Sequence, residues 1–156
     1  MTGTTITAQP GTPFIEVTRE FAAPKPAVFR AHTEPDLVKQ WLGPRDLEME
    51  ILEFDARSGG SYRYVHRADR GEFRFRGVFH SVEEDSRIIQ TFEFEGAPGE
   101  VCLETMTLTE TDGGTRVQVR SVFPSVEARD AMVASGMESG IVEGYEQLDE
   151  LLAKEA

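Results

Sequence analysis

Two side chains of this sequence have the chemistry of a general acid or base, His66 and Glu104. A histidine changes its charge near neutral pH, and a carboxyl group enclosed by protein can do so once burial raises its pKa. His66 ends a strand-like segment in which Tyr62 and Tyr64 share its parity, so the three side chains fall on one face of the strand. The pattern makes an acid–base site a hypothesis, while a surface position is the favoured interpretation for His66.

The sequence contains little that indicates metal binding or nucleophilic catalysis. None of the three histidines (His32, His66 and His80) stands at metal-ligand spacing from another histidine, a cysteine or a carboxylate. The single cysteine, Cys102, is expected to be a small buried residue and not a nucleophile. No glycine-rich phosphate loop and no nucleophile elbow occurs. We therefore predict no metal site and no cofactor.

The elements that must position these side chains are mostly strands. Residues 14–21 alternate β-branched or aromatic side chains with charged ones, which predicts a first strand. Two short helices follow, one with Pro26 in its first turn and one that begins near Pro35, runs through Trp41 and ends at the following Gly-Pro pair. Residues 47–123 then predict six further strands joined by short turns, which is typical of an antiparallel sheet.

The alternation of side chains gives this seven-stranded sheet one dry face and one wet face. The aromatic side chains that can share the dry face are Tyr62, Tyr64, Phe73, Phe75, Phe79, Phe92 and Phe94. Apolar residues recur every three or four positions between residues 133 and 152, which predicts a long amphipathic helix across that face. The predicted fold class is α+β, a curved antiparallel sheet gripping a C-terminal helix.

Three glycines four residues apart in this last segment, Gly136, Gly140 and Gly144, would lie on one helical face. Each should cost about 1 kcal/mol relative to alanine in a helix interior. Either Gly136 separates two helices while the others allow close packing on the sheet, or the glycines leave volume for a ligand. The sequence alone favours the first interpretation.

Length and charge restrict the function classes. The chain has 156 residues, which indicates one domain, and a formal net charge of −12, which disfavours nucleic acid and anionic membrane surfaces as partners. No apolar run approaches the ~20 residues of a membrane helix. Residues 1–13 predict a flexible tail without signal-peptide features, ahead of a domain over residues 14–153. One cysteine fits a reducing compartment, so we expect a cytoplasmic protein.

Several segments, taken in order, resemble the helix-grip proteins of the START-like (SRPBCC) superfamily. They are the opening FAAPKPAVFRAHTEPDLVKQWLGP, the turn RSGGSYRY, the strand pair GVFHSVEEDSRIIQTFEF, the string GGTRVQV and the last helix. The branch that they resemble is grouped with the C-terminal domain of the heat-shock chaperone ATPase activator. The resemblance covers about residues 14–153 and implies a cavity between the sheet and the C-terminal helix.

This implied cavity would be lined by residues of the dry face, the second short helix and the last helix. They are Trp41, Tyr62, Tyr64, Phe75, Phe79, Phe92, Met106, Met137, Gly140, Ile141 and Tyr145. Many members of the branch carry a tryptophan where this chain has Tyr145, so its smaller ring with a hydroxyl changes the expected shape of the pocket.

Three functions follow from the resemblance as expectations. The favoured one is binding of a small apolar or amphipathic molecule, without cofactor or covalent chemistry. The second is an enzyme of the cyclase or dehydratase type that uses His66 or Glu104 as its acid–base group. The third is a chaperone-interacting module, although the activator's additional N-terminal domain has no room in 156 residues. An exposed sheet edge would also allow a homodimer.

Overall fold

The segments with alternating side chains form strands, and the periodic segments form helices. The structure is a computed structural model that describes residues 3–155. The strands are β1 (Thr5–Thr7), β2 (Phe14–Phe21), β3 (Glu48–Phe54), β4 (Ser61–Ala68), β5 (Gly71–Glu83), β6 (Arg87–Phe94), β7 (Cys102–Thr111) and β8 (Gly114–Val122). The helices are α1 (Lys25–Thr33), α2 (Pro35–Val38), α3 (Val126–Ala134) and α4 (Met137–Glu155).

All strands belong to one antiparallel sheet in the order β1-β2-β8-β7-β6-β5-β4-β3. The first long strand, β2, pairs with the last strand of the meander, β8. The apolar face of the sheet packs against α4 and α1 around Leu148, Val117 and Val28, which are fully buried. The predicted α+β helix-grip fold is confirmed.

The sheet has eight strands and not the predicted seven. The additional strand, β1, lies within residues 1–13, for which a flexible tail is predicted, and it pairs with β2 through Ile6 and Val17. Arg129 fastens the following residues, because its guanidinium donates hydrogen bonds to the carbonyl oxygens of Gln9 and Phe14 at 3.0 and 3.1 Å. A three-residue strand with a single apolar side chain is too short for its alternation to be recognised.

The helix boundaries follow from local signals. Ser125 caps α3, since its Oγ accepts a hydrogen bond from the backbone N–H of Ala128 at 3.0 Å. Gly136 separates α3 from α4 with a φ of 85°, a conformation that glycine adopts without strain. The predicted break at Gly136 is therefore confirmed. The second short helix ends at Val38, earlier than predicted, and turns continue the chain to Trp41.

The side chain of Tyr62 on β4 crosses the neighbouring strand β5 at Gly77 and reaches β6. The two residues are register partners in β4 and β5, and the Tyr62 hydroxyl donates a hydrogen bond to the Thr91 carbonyl oxygen of β6 at 2.5 Å. A Cβ atom on residue 77 would overlap both that carbonyl oxygen and the hydroxyl. Gly77 therefore lets one aromatic ring of the apolar face lie flat against the sheet and bond to it.

We expect Gly77→Ala to lower the free energy of unfolding by roughly 2–3 kcal/mol, because the added methyl group must displace backbone or the Tyr62 ring. Urea denaturation measures this change. Gly113→Ala is the matched control, since a Cβ there meets no atom within 4 Å, and it should shift stability by less than about 0.5 kcal/mol. Equal stability of the two variants would contradict the account of Tyr62.

Candidate functional site

A large cavity lies between the apolar face of the sheet, α4 and the α2–β3 loop (residues 39–47). Its volume is about 1380 Å³, above the ~300–1,000 Å³ usual for small-molecule sites. Exposed residues such as Arg70 and Glu127 form its rim, so it is open to solvent. A separate depression of about 470 Å³ lies beside α1 and contains none of the predicted site residues.

The structure brings the predicted site residues together around this one cavity. Those that border it are Trp41, Tyr62, Tyr64, His66, Phe75, Phe79, Phe92, Glu104, Met106, Met137, Gly140, Ile141 and Tyr145. Most of them are aromatic or aliphatic, and the strands contribute them at every second position, as the alternation predicted. The cavity is therefore mainly apolar, and its few polar groups decide what chemistry it can support.

Glu104 is the carboxyl group inside the cavity. It lies on β7 between Cys102 and Met106, which point to the same face of the sheet. Its Oε2 accepts a hydrogen bond from the Ser121 hydroxyl at 3.3 Å, and its Oε1 accepts one from the Gln90 amide at 3.4 Å. Both hydrogen bonds are long, and Glu104 forms no salt bridge within the described chain.

Burial raises the pKa of Glu104 to about 7, although the hydrogen bonds from Ser121 and Gln90 oppose the shift. The ionised carboxylate in turn affects its neighbours. Burial first, and then the charge of Glu104, raise the pKa of Tyr64 and Tyr145 above the ordinary value of a tyrosine. Near neutral pH, Glu104 therefore exchanges a proton, while both tyrosines stay protonated.

Two polar residues that the sequence analysis did not select support Glu104. The Gln90 amide donates to Glu104 and also to the Tyr62 hydroxyl at 3.3 Å. Ser121 is buried on β8 and donates to the other carboxylate oxygen. The alternation of side chains along the strands could have identified both residues. Gln90 lies two positions from Ile88 and Ser121 two positions from Val119, so each faces the apolar side of the sheet.

His66 is buried and not on the surface, with 6% of its area exposed. Its ring packs against Tyr64 and Phe75, with centroids 5.1 and 5.6 Å away, and a Cβ atom at Gly43 would overlap it. Burial lowers the pKa of His66 more than the nearby Leu42 carbonyl raises it, which favours the neutral ring. Its Nε2 has no hydrogen-bond partner within residues 3–155.

The two candidate acid–base residues do not form a pair, because no hydrogen bond joins His66 to Glu104 in the described structure. The positions of the two residues in the sheet also keep His66 apart from Glu104. His66 lies four residues from Tyr62 on β4, a separation of roughly 13 Å along a strand, and the hydrogen-bonded network around Glu104 reaches Tyr62. Each group therefore acts by itself in any chemistry of the cavity.

The helical glycines pack closely, but on the α2–β3 loop and not on the sheet. A Cβ atom at Gly140 would lie 3.5 Å from Pro44, and one at Gly144 would lie 3.2 Å from the Trp41 carbonyl oxygen. Gln147 ties α4 to the same loop, since its amide donates to the Gly43 carbonyl oxygen at 2.9 Å. The glycines thus bring α4 against the loop that closes one side of the cavity.

The described residues contain no group of three His, Cys, Asp or Glu side chains arranged to hold a metal ion. None of the helices in residues 3–155 is both long and apolar enough to cross a lipid bilayer.

Residues 22–153 match the family described as Activator of Hsp90 ATPase homolog 1-like protein. The chain belongs to this family, as the resemblance of the sequence indicated. No curated protein matches the chain.

Solved structures of similar proteins share the fold over nearly the whole chain. A protein from Rhodobacter sphaeroides is 30% identical with a TM-score of 0.88, covering 97% of this chain and 99% of that chain. One from Chromobacterium violaceum is 27% identical with a TM-score of 0.77, covering 89% and 96%. One from Staphylococcus epidermidis is 27% identical with a TM-score of 0.83, covering 97% and 95%.

The pKa of Glu104 predicts a specific pH dependence of stability. The folded state holds a proton up to about pH 7 that the unfolded state releases near 4.5, so stability falls as the pH rises through this window. We expect the loss to reach roughly 3 kcal/mol. Glu104→Gln should abolish it and be more stable than the wild type at neutral pH and above.

Urea denaturation at several pH values, compared between the wild type and Glu104→Gln, measures this difference. Subtracting the two curves removes the contributions of the other titrating groups. Glu110→Gln is the control, because it removes an exposed carboxyl group from the same strand. Parallel curves for the wild type and Glu104→Gln would show that Glu104 is not desolvated.

Proposed function

We propose that this protein binds a small apolar or amphipathic molecule in the cavity between the sheet and α4. The observation that carries the proposal is the volume of about 1380 Å³ bordered mainly by aromatic and aliphatic side chains. Transfer of an apolar molecule from water to such a surface is favourable by about 25 cal/mol per Å² that is buried. The few polar groups inside, Glu104 above all, would orient it.

The bracing of the cavity supports this proposal. Tyr62 is bonded across Gly77 to β6, and α4 is bonded to the α2–β3 loop through Gln147. A cavity that is formed before binding spares the ligand the cost of ordering its own site. Affinity for a small molecule is then determined by the match of its shape and polar groups to this surface.

We also propose that this binding takes place in the cytoplasm. Cys102, the single cysteine of the chain, is buried and forms no disulfide, which fits a reducing compartment. The formal net charge of −12 supports a small molecule over nucleic acid as the partner.

One observation favours a second candidate, an enzyme of the cyclase or dehydratase type. Glu104 has a pKa of about 7, which is the value that suits a general acid or base near neutral pH. Glu104→Gln distinguishes the two functions, because an enzyme of this type would lose turnover of its substrate while a carrier would still bind neutral apolar molecules. Equal turnover by the wild type and this variant would rule out Glu104 as the acid–base group.

Met106→Trp tests the proposed binding with Nile red, a neutral apolar dye whose fluorescence rises in apolar surroundings. Met106 borders the cavity, so the larger ring should occupy space that the dye would use. We expect the affinity for Nile red to fall at least about tenfold. Since the ring enters free volume, the free energy of unfolding should change by less than about 1 kcal/mol.

Leu108→Trp is the matched control for this experiment. Leu108 is buried two residues further along the same strand, outside the cavity lining. Overpacking there should cost roughly 1–3 kcal/mol of stability and leave the affinity for the dye unchanged. If Met106→Trp binds the dye as the wild type does, the cavity is not the binding site. If both tryptophans destabilise the fold alike, the cavity offers no free volume beside Met106.

A further inference from the structure

We propose that the molecule bound in this cavity is an amphipathic amine, whose protonated nitrogen pairs with Glu104 while its apolar part lies against the aromatic side chains. This inference rests on the proposed binding function and deepens it by naming the chemical class of the ligand. Three observations carry it: the free acceptor capacity of Glu104, the tyrosines near it and the distribution of charge at the rim.

Glu104 has acceptor capacity that the protein does not use. An ionised carboxylate offers about four acceptor sites on its two oxygens, and Glu104 receives only the long hydrogen bonds from Ser121 and Gln90. No Lys, Arg or His side chain forms a salt bridge with it within residues 3–155. A protonated amine supplies both the missing donors and the missing positive charge.

Three tyrosines lie near Glu104 in the lining of the cavity. Tyr62, Tyr64 and Tyr145 lie close enough for the charge of Glu104 to act on their hydroxyl groups, and all three border the cavity. Aromatic faces attract cations by about 0.5–2 kcal/mol, more so where water is excluded. The same rings give the apolar part of the ligand its contact surface.

The charges at the rim favour a cation over an anion. Arg45 and Arg70 are each held in a salt bridge with a carboxylate, at 2.6 and 3.0 Å. Glu100 and Glu127, also at the rim, form no salt bridge with the described residues. With a formal net charge of −12, the protein attracts cations to this opening. A fatty acid would instead bring a second negative charge beside Glu104.

A series of ligands with one apolar chain and different head groups tests the inference: decylamine, decanol and decanoate. Isothermal titration calorimetry at about pH 8, where the amine is protonated and Glu104 is ionised, gives the three affinities. We expect decylamine to bind wild-type protein roughly ten- to a hundredfold more tightly than decanol. A hydrogen bond between charged groups contributes more binding free energy than a neutral one, and the difference corresponds to a change in affinity of this size. Decanoate should bind most weakly.

Glu104→Gln should reduce the preference of decylamine over decanol to less than about threefold. Glu110→Gln, which removes one exposed carboxylate from β7 outside the cavity, should keep the wild-type preference and thereby control for the change in net charge. Circular dichroism melting establishes that both variants are folded.

The possible failures of the two proposals can be told apart. If decanol or decanoate binds the wild type as tightly as decylamine, the ligand is not an amine, although the cavity still binds apolar molecules. A preference for the amine that persists in Glu104→Gln also overturns the inference. If no member of the series binds, both the inference and the proposed function fail.

Discussion

The structure depends on one unusual constraint: the Glu104 carboxyl group borders a mainly apolar cavity and has no cation beside it within residues 3–155. An ionised carboxylate in such surroundings costs several kcal/mol, and proteins usually compensate it with a positively charged partner or keep it protonated. Here the second solution applies below neutral pH, because burial raises the pKa of Glu104 to about 7. The protein therefore keeps a group that makes the folded state less stable as the pH rises from about 4.5 to 7, at the place where a ligand would supply the partner.

The cavity persists because its walls are fastened to each other away from its centre. On one side, Tyr62 is bonded to β6 across Gly77, which holds its ring against the sheet and away from the centre of the cavity. On the other side, α4 is held by the α2–β3 loop through Gln147 and by the pair of Arg45 with Glu150. Collapse of the helix onto the sheet would break these contacts, which offsets the attraction between the apolar surfaces.

Much of this arrangement could be predicted from the sequence, because two periodicities carry it. Alternation at every second residue placed Tyr62 and Tyr64 on the apolar face, and the helical repeat placed α4 across it. Other features depend on contacts between segments distant in the chain. The loop that buries His66 is more than twenty residues away, and the support of Glu104 by Gln90 depends on strand register. The periodicity of a sequence predicts the side of a strand or helix on which a residue lies, but it does not predict which residues of other segments contact it.

The pKa of Glu104 tests the central claim most directly, and it can be measured by following the side-chain carboxyl carbon of this residue in a ¹³C NMR titration. The Glu104→Gln spectrum assigns the resonance. Our account predicts a midpoint of about 7 that moves to lower pH when decylamine is added, since a cation favours the ionised form. A midpoint close to the ordinary glutamate value of about 4.3 would mean that water reaches the carboxyl group freely, and would contradict the account.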